Sequence, residues 1–139
     1  MAQRASNTLN TILWITQALL AVTFIWAAYM KLFAPSEKLH QMWPWTTGNE
    51  NLVTLTGLVD LMAGAGLVLP ALPGIQPKLT IYASYGVIVL MIAASVFHIS
   101  REEVSKIGFN IVVALLAVFI AWGRQTKMTR PEKRNRATQ

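Results

Sequence analysis

Four long apolar runs, at about 8–33, 52–69, 79–98 and 106–123, decide what this chain can become. About 20 apolar residues in a helix cross the roughly 30 Å hydrocarbon core of a bilayer. There, only helices and closed barrels satisfy every backbone N–H and C=O. The runs are continuously apolar rather than alternating, which is the pattern of helices. The expectation is an all-α integral membrane protein, with four transmembrane helices in an antiparallel up-down bundle. Composition agrees: 54% of the residues are hydrophobic and 13% charged, against about 25% charged in an ordinary soluble domain.

Residues 1–124 are expected to form the membrane domain, and 125–139 a basic cytoplasmic tail whose end is disordered. The first run begins after a short flank holding Arg4. It far exceeds the roughly 7–15 apolar residues of a signal sequence, so it is read as a retained helix. The connection from Ala34 to Asn51 carries Pro35, Pro44, Gly48, Trp43 and Trp45. It should lie on the bilayer surface or fold over the bundle mouth, with both tryptophans serving chiefly as interface anchors. Pro70, Pro73, Gly74 and Pro77 mark the tight connection between the second and third helices.

Lysine and arginine near the helix ends orient such a bundle. Arg4, Lys78, Arg124, Lys127, Arg130, Lys133, Arg134 and Arg136 fall on one side; Lys31, Lys38, Arg101 and Lys106 fall on the other. The second side also holds Glu37, Glu50, Glu102 and Glu103. Both termini are therefore expected in the cytoplasm. Cysteine is absent, which excludes thiolate and disulfide chemistry within the chain. The two histidines, His40 and His98, lack metal-ligand spacing, so no metal site is expected. No nucleotide or nucleophile-elbow motif occurs, and the basic tail lacks the aromatic interleaving of a nucleic-acid binder. The two halves share no pattern, which argues against an inverted-repeat transporter.

Asp60 stands out. It lies inside the second apolar run, where a carboxylate near the bilayer centre costs about 2.5–3.5 kcal/mol on insertion scales. Gly57, Asp60 and Gly64 share one helix face, whose small residues permit close approach of a neighbour. On the first helix Gln17, Ala21, Ala28 and Lys31 share a face, and Gln17 should sit at a depth similar to Asp60. Ser95, His98 and Glu102 align on the third helix, and Asn110 opens the fourth ahead of Ala114, Ala117 and Ala121. These positions suggest a polar pocket opening outward, with Asp60, Lys31, His98, Arg101, Gln17 and Asn110 as ligand-binding or proton-relay candidates. Blander readings stand beside them. Asp60 can serve as a packing carboxylate bonded to Gln17 or Lys31, and Lys31 can snorkel. His98 can cap helix carbonyls. Arg101 can meet lipid phosphate, and Asn110 can serve a helix start.

The segments Ala27-Ala28-Tyr29-Met30-Lys31-Leu32-Phe33 and Gly57-Leu58-Val59-Asp60 through Pro70 resemble the DoxX-like family. So do the third helix ending His98-Ile99-Ser100-Arg101-Glu102, and Asn110 followed by an apolar helix ending at Trp122-Gly123-Arg124. The resemblance covers roughly Trp26 to Arg124. It implies four membrane helices and a link to membrane redox chemistry, since the name-giving subunits belong to a thiosulfate:quinone oxidoreductase. Other relatives act beside detoxifying enzymes or as membrane assembly factors. Relatives usually carry glutamate where this chain has Asp60, and often glycine near Ala28 and Tyr29.

The first functional expectation is a redox-associated, quinone-linked accessory subunit of the bacterial inner membrane. It would bind a quinone or other small lipophilic molecule at a pocket centred on Asp60. It would hold no cofactor of its own, have no assigned catalytic residue, and depend on a partner or a homo-oligomer. The second is a non-catalytic assembly factor or interaction module, in which Asp60 and Lys31 set helix packing.

Overall fold

The computed structural model describes residues 2–72, 76 and 78–137, and the side chains of residues 4–70, 72, 76 and 78–128. It is all-helical. Helix α1 spans Ala2–Phe33 and a short α2 spans Ser36–Met42. Helices α3 (Glu50–Val68), α4 (Lys78–Ser100) and α5 (Ile107–Ala137) follow. Short 3₁₀ turns cover Pro44–Thr46, Leu69–Ala71 and Val104–Lys106. The stretches Arg4–Phe33, Glu50–Val68, Lys78–Ser100 and Val104–Met128 are long and apolar enough to cross a membrane.

The four long helices pack in a ring, α1 on α3, α3 on α4, α4 on α5 and α5 back on α1. Each neighbour runs antiparallel. Gly57 meets Lys31 and Leu32 while Gly64 meets Ala21 and Ile25, and Gly123 meets Leu13. One end of the bundle therefore gathers the α1–α3 connection and the α4–α5 turn. The other gathers the chain's N-terminal residues, the α3–α4 connection and the later part of α5. Between them lies an apolar core of Leu20 and Phe24 from α1, Leu67 from α3, Val87 and Met91 from α4, and Val113, Ala117 and Ile120 from α5. The outward faces carry Leu19, Val22, Met62, Val89 and Leu115, all well exposed. In water such a girdle would be an aggregation surface; in a bilayer it faces lipid.

Local chemistry sets the helix ends. Pro70 turns the end of α3 into a 3₁₀ turn, because it has no N–H to extend the helix. Pro73, Gly74 and Pro77 of the same expected turn lie outside the described residues. Helix α4 stops at a Schellman motif. The Glu103 N–H donates to the His98 carbonyl at 2.9 Å and the Glu102 N–H to that of Ile99 at 3.0 Å, with Glu102 at φ 59°. A glutamate in this left-handed conformation costs on the order of 1 kcal/mol, where glycine would cost none. Helix α5 does not end near Gly123 but continues through Ala137. The expected disordered end is not found through Ala137; Thr138 and Gln139 lie outside the described residues. Gln125, Lys127 and Met128 are good helix formers, and the helix runs on past Pro131 although that residue cannot donate to the ladder.

The α1–α3 seam depends on small residues. A Cβ placed on Gly64 would lie 2.7 Å from Ile25 Cγ1 and 3.1 Å from the Ala21 carbonyl oxygen. One on Gly86 would meet nothing within 4 Å. Gly64→Val is expected to destabilise the bundle by about 1–3 kcal/mol through overpacking. Gly86→Ala should be neutral or stabilise by up to about 1 kcal/mol through helix propensity and a less flexible unfolded chain. Unfolding midpoints in mixed micelles of increasing sodium dodecyl sulfate would measure both.

Candidate functional site

The six candidate residues do not form one pocket. They separate into distinct polar groups, and a residue outside the candidate set anchors another.

The first group centres on Asp60. Lys31, near the end of α1, donates through Nζ to Asp60 Oδ2 at 2.6 Å. Both side chains are nearly enclosed. Gly57 makes this possible, since a Cβ there would sit 3.1 Å from Lys31 Cβ. The helices are close enough for the short aspartate to reach the lysine. Above the pair, the α1–α3 connection folds inward. Met30, Leu39 and Val53 form a small core with Trp43 and Trp45 packed against it. The Lys31 Nζ lies 5.8 Å from the Trp43 ring and 5.6 Å from that of Trp45, within cation–π range. Trp43 also meets Trp26 edge-on, and Trp45 meets Phe97 of α4. The two tryptophans thus cover the ion pair. Lysine attracts their π faces, and the small apolar core holds the segment down.

Gln17 is elsewhere. Its Nε2 donates to the Leu67 carbonyl, seven residues beyond Asp60 on α3, or about 10 Å farther along the axis. The expected common depth of Gln17 and Asp60 therefore does not hold. The shared face of α1 is real, but fourteen residues separate Gln17 from Lys31, so they face opposite ends of the apolar core. Gln17 Oε1 accepts from Arg124 Nε at 2.6 Å. Arg124 Nη1 donates to Asn10 Oδ1 at 2.9 Å, and the guanidinium stacks 5.2 Å from the Trp14 ring. Sequence reasoning places Arg124 at the end of the membrane domain as an orienting charge and gives it no part in a site. The missed signal was the pair Asn10 and Gln17, seven residues apart and so on one helix face.

His98 and Arg101 form a third group in the α4–α5 turn. His98 Nδ1 lies 2.9 Å from Glu103 Oε2, Arg101 Nε 3.5 Å from the same oxygen, and Lys106 Nζ 3.7 Å from Oε1. The expected His98–Glu102 alignment is replaced by a His98–Glu103 contact, because the chain reverses at Glu102 and brings the next residue back over α4. Arg101 also lies 5.5 Å from the Phe97 ring.

Asn110 is 6% exposed and its amide Nδ2 has no hydrogen-bond partner. It lines an open groove of about 260 Å³ between α4 and α5, with Met91, Ser95 and Ala114 at its floor and the exposed Ile92, Val96 and Leu115 at its rim. This groove is almost wholly apolar, and Asp60 does not line it.

The match to a family model for the DoxX-like family extends over residues 15–120. The chain belongs to the DoxX-like family. No curated protein and no solved structure matches it. Lys31, Asp60, His98 and Asn110 lie within the matched residues of this DoxX-like protein, while Asn10 and Arg124 lie just outside them.

The turn makes a pH prediction. The hydrogen bond from His98 holds the Glu103 carboxyl below its ordinary pKa, helped by the nearby charges of Lys106, Arg101 and His98 and opposed by desolvation. A carboxylate with a lowered folded pKa stabilises the fold above its unfolded value. That contribution is lost as pH falls through the folded value. The stability difference between wild type and Glu103→Gln should therefore be full at neutral pH and shrink below about pH 4. Unfolding midpoints of both proteins across that range would measure it.

Proposed function

We propose that this chain is a non-catalytic accessory or assembly module of a larger membrane complex. The observation that carries the reading is the Lys31–Asp60 contact at 2.6 Å. A carboxylate already met by a lysine, at a glycine-lined seam and under two indoles, joins α1 to α3. It is placed to hold the frame on which the outward helix faces meet a protein partner. The redox link implied by the family then belongs to the complex, with this chain as its structural member. Both termini are assigned to the cytoplasm of a bacterial inner membrane, on the excess of lysine and arginine at that end of the bundle.

A second reading rests on a different observation. The unpartnered Asn110 amide beside the apolar α4–α5 groove suits a small lipophilic molecule carrying a carbonyl, such as a quinone. The groove opens onto the outer face of the bundle, where a lipophilic molecule would enter from the bilayer. In this reading Asn110, not Asp60, donates the orienting hydrogen bond.

One experiment separates the two. If Asp60 is a packing group, Asp60→Ala or Lys31→Ala should each cost about 3–5 kcal/mol, because each strands a buried charge. The double variant Lys31→Met with Asp60→Leu should recover most of that loss and still co-purify with the same membrane partner. A double variant that is stable but has lost the complex would overturn the packing reading. Mass spectrometry of co-extracted lipophilic molecules addresses the second reading: a quinone retained by wild type and lost in Asn110→Leu would favour it.

A further inference from the structure

The buried end of Arg124 is the least explained charge in the molecule. Its Nε and Nη1 are used by Gln17 and Asn10, and its face by Trp14. Three groups thus fix the guanidinium, and none carries a negative charge. Its Nη2 is enclosed and has no hydrogen-bond partner. Of the chain's six acidic side chains, none of the five that are described pairs with this cation. Asp60 is held by Lys31. Glu37, Glu50, Glu102 and Glu103 belong to the connections at the opposite end of the bundle. Glu132, whose side chain lies outside the described residues, is eight residues farther along α5, about 12 Å by helical rise. An unneutralised guanidinium in a bundle interior is costly, and such residues usually find a partner. An unsatisfied buried donor likewise signals a group that completes it.

The position and chemistry indicate the missing group. Arg124 lies near the end of its membrane span, Val104–Met128, where helix ends meet the headgroup layer. It is only partly buried overall, and Trp14, which stacks on it, is itself partly exposed. Lys127, one turn on, reaches the Ser6 carbonyl at 3.4 Å across the same α1–α5 seam. A planar guanidinium with an unused N–H edge suits a phosphate oxygen better than a lysine would.

We infer that Arg124, oriented by Asn10, Gln17 and Trp14, is a binding site for the headgroup phosphate of an anionic phospholipid at the seam between α1 and α5. The lipid supplies the counter-charge that no described side chain provides, and by neutralising Arg124 it ties the two terminal membrane helices together. A zwitterionic lipid fits less well, because no acidic side chain described near the seam would receive its cationic group. This inference is independent of the role assigned to Asp60.

The test is native mass spectrometry of the delipidated full chain in detergent, titrated with phosphatidylglycerol, phosphatidylcholine or inorganic phosphate. Thermal stability would be followed in parallel. Wild type is expected to retain phosphatidylglycerol about tenfold more strongly than phosphatidylcholine, given the strength of charge-assisted arginine–phosphate bonds. Arg124→Gln should lose that preference. Because Arg124→Gln can also weaken folding, Asn10→Asp provides the decisive control. It places a carboxylate on Nη1, should fold at least as well as wild type without added lipid, and should lose the phosphatidylglycerol preference. Equal retention of phosphatidylglycerol by wild type and Asn10→Asp would overturn the inference. Equal stabilisation of wild type by inorganic phosphate at millimolar concentration would overturn the assignment to lipid.

Discussion

Inside a bilayer a polar side chain has no water to fall back on, so its partner has to come from the protein or from the lipid headgroups. This constraint organises the bundle. The apolar core that includes Phe24, Val87, Met91 and Ala117 occupies the middle, and the polar contacts lie toward its two ends. At one end Lys31 meets Asp60. At the other Gln17 bridges α1 to the backbone of α3 and to Arg124 of α5. Each contact joins helices that the apolar core alone would let slide, because hydrocarbon side chains gain little by preferring a neighbouring helix to lipid. The polar contacts therefore fix register, and the glycines at 57, 64 and 123 allow the close approach that makes the contacts short.

The architecture was legible because it follows from run length and apolar continuity. Four runs of membrane-spanning length, separated by Pro- and Gly-rich or charged connections, leave few alternatives to four packed helices. Side-chain pairing was less legible. Helical periodicity showed that Gln17 and Lys31 share a face of α1, but it did not show how far apart along the axis two residues on that face act. The antiparallel packing of α3 sets Asp60 against Lys31 and Leu67 against Gln17. Only the pairing of helices reveals that these are separate layers. Arg124 was obscured for another reason. It closes the last apolar run just before a basic stretch and reads as one more orienting charge; only its contacts with residues more than a hundred positions earlier show that it turns inward.

The α4–α5 turn shows how local backbone conformation can override side-chain periodicity. Ser95, His98 and Glu102 fall on one helical face by spacing, yet the helix ends before Glu102 can take its place on it. With Glu102 at φ 59°, the next residue swings back over the helix end, and Glu103 receives His98, Arg101 and Lys106 together. A single acidic group thus gathers the imidazole and the two cations of that turn. Glu102, which supplies the strained backbone, makes no ion pair among the described residues.

The two ends of the bundle solve the problem of a buried charge differently, and the difference bears on function. Lys31 and Asp60 neutralise one another and are shielded by Trp43 and Trp45, so that end is electrostatically closed without help. Arg124 is oriented with comparable care, but its partners among the described residues are all neutral. A protein that needed Arg124 solely for packing would gain more from a carboxylate at Asn10, where the geometry for one already exists at 2.9 Å. Asparagine there leaves the guanidinium fixed in direction and its charge unspent. That arrangement favours an anion that arrives from outside the chain, and it makes the stability of the α1–α5 seam depend on the membrane around it.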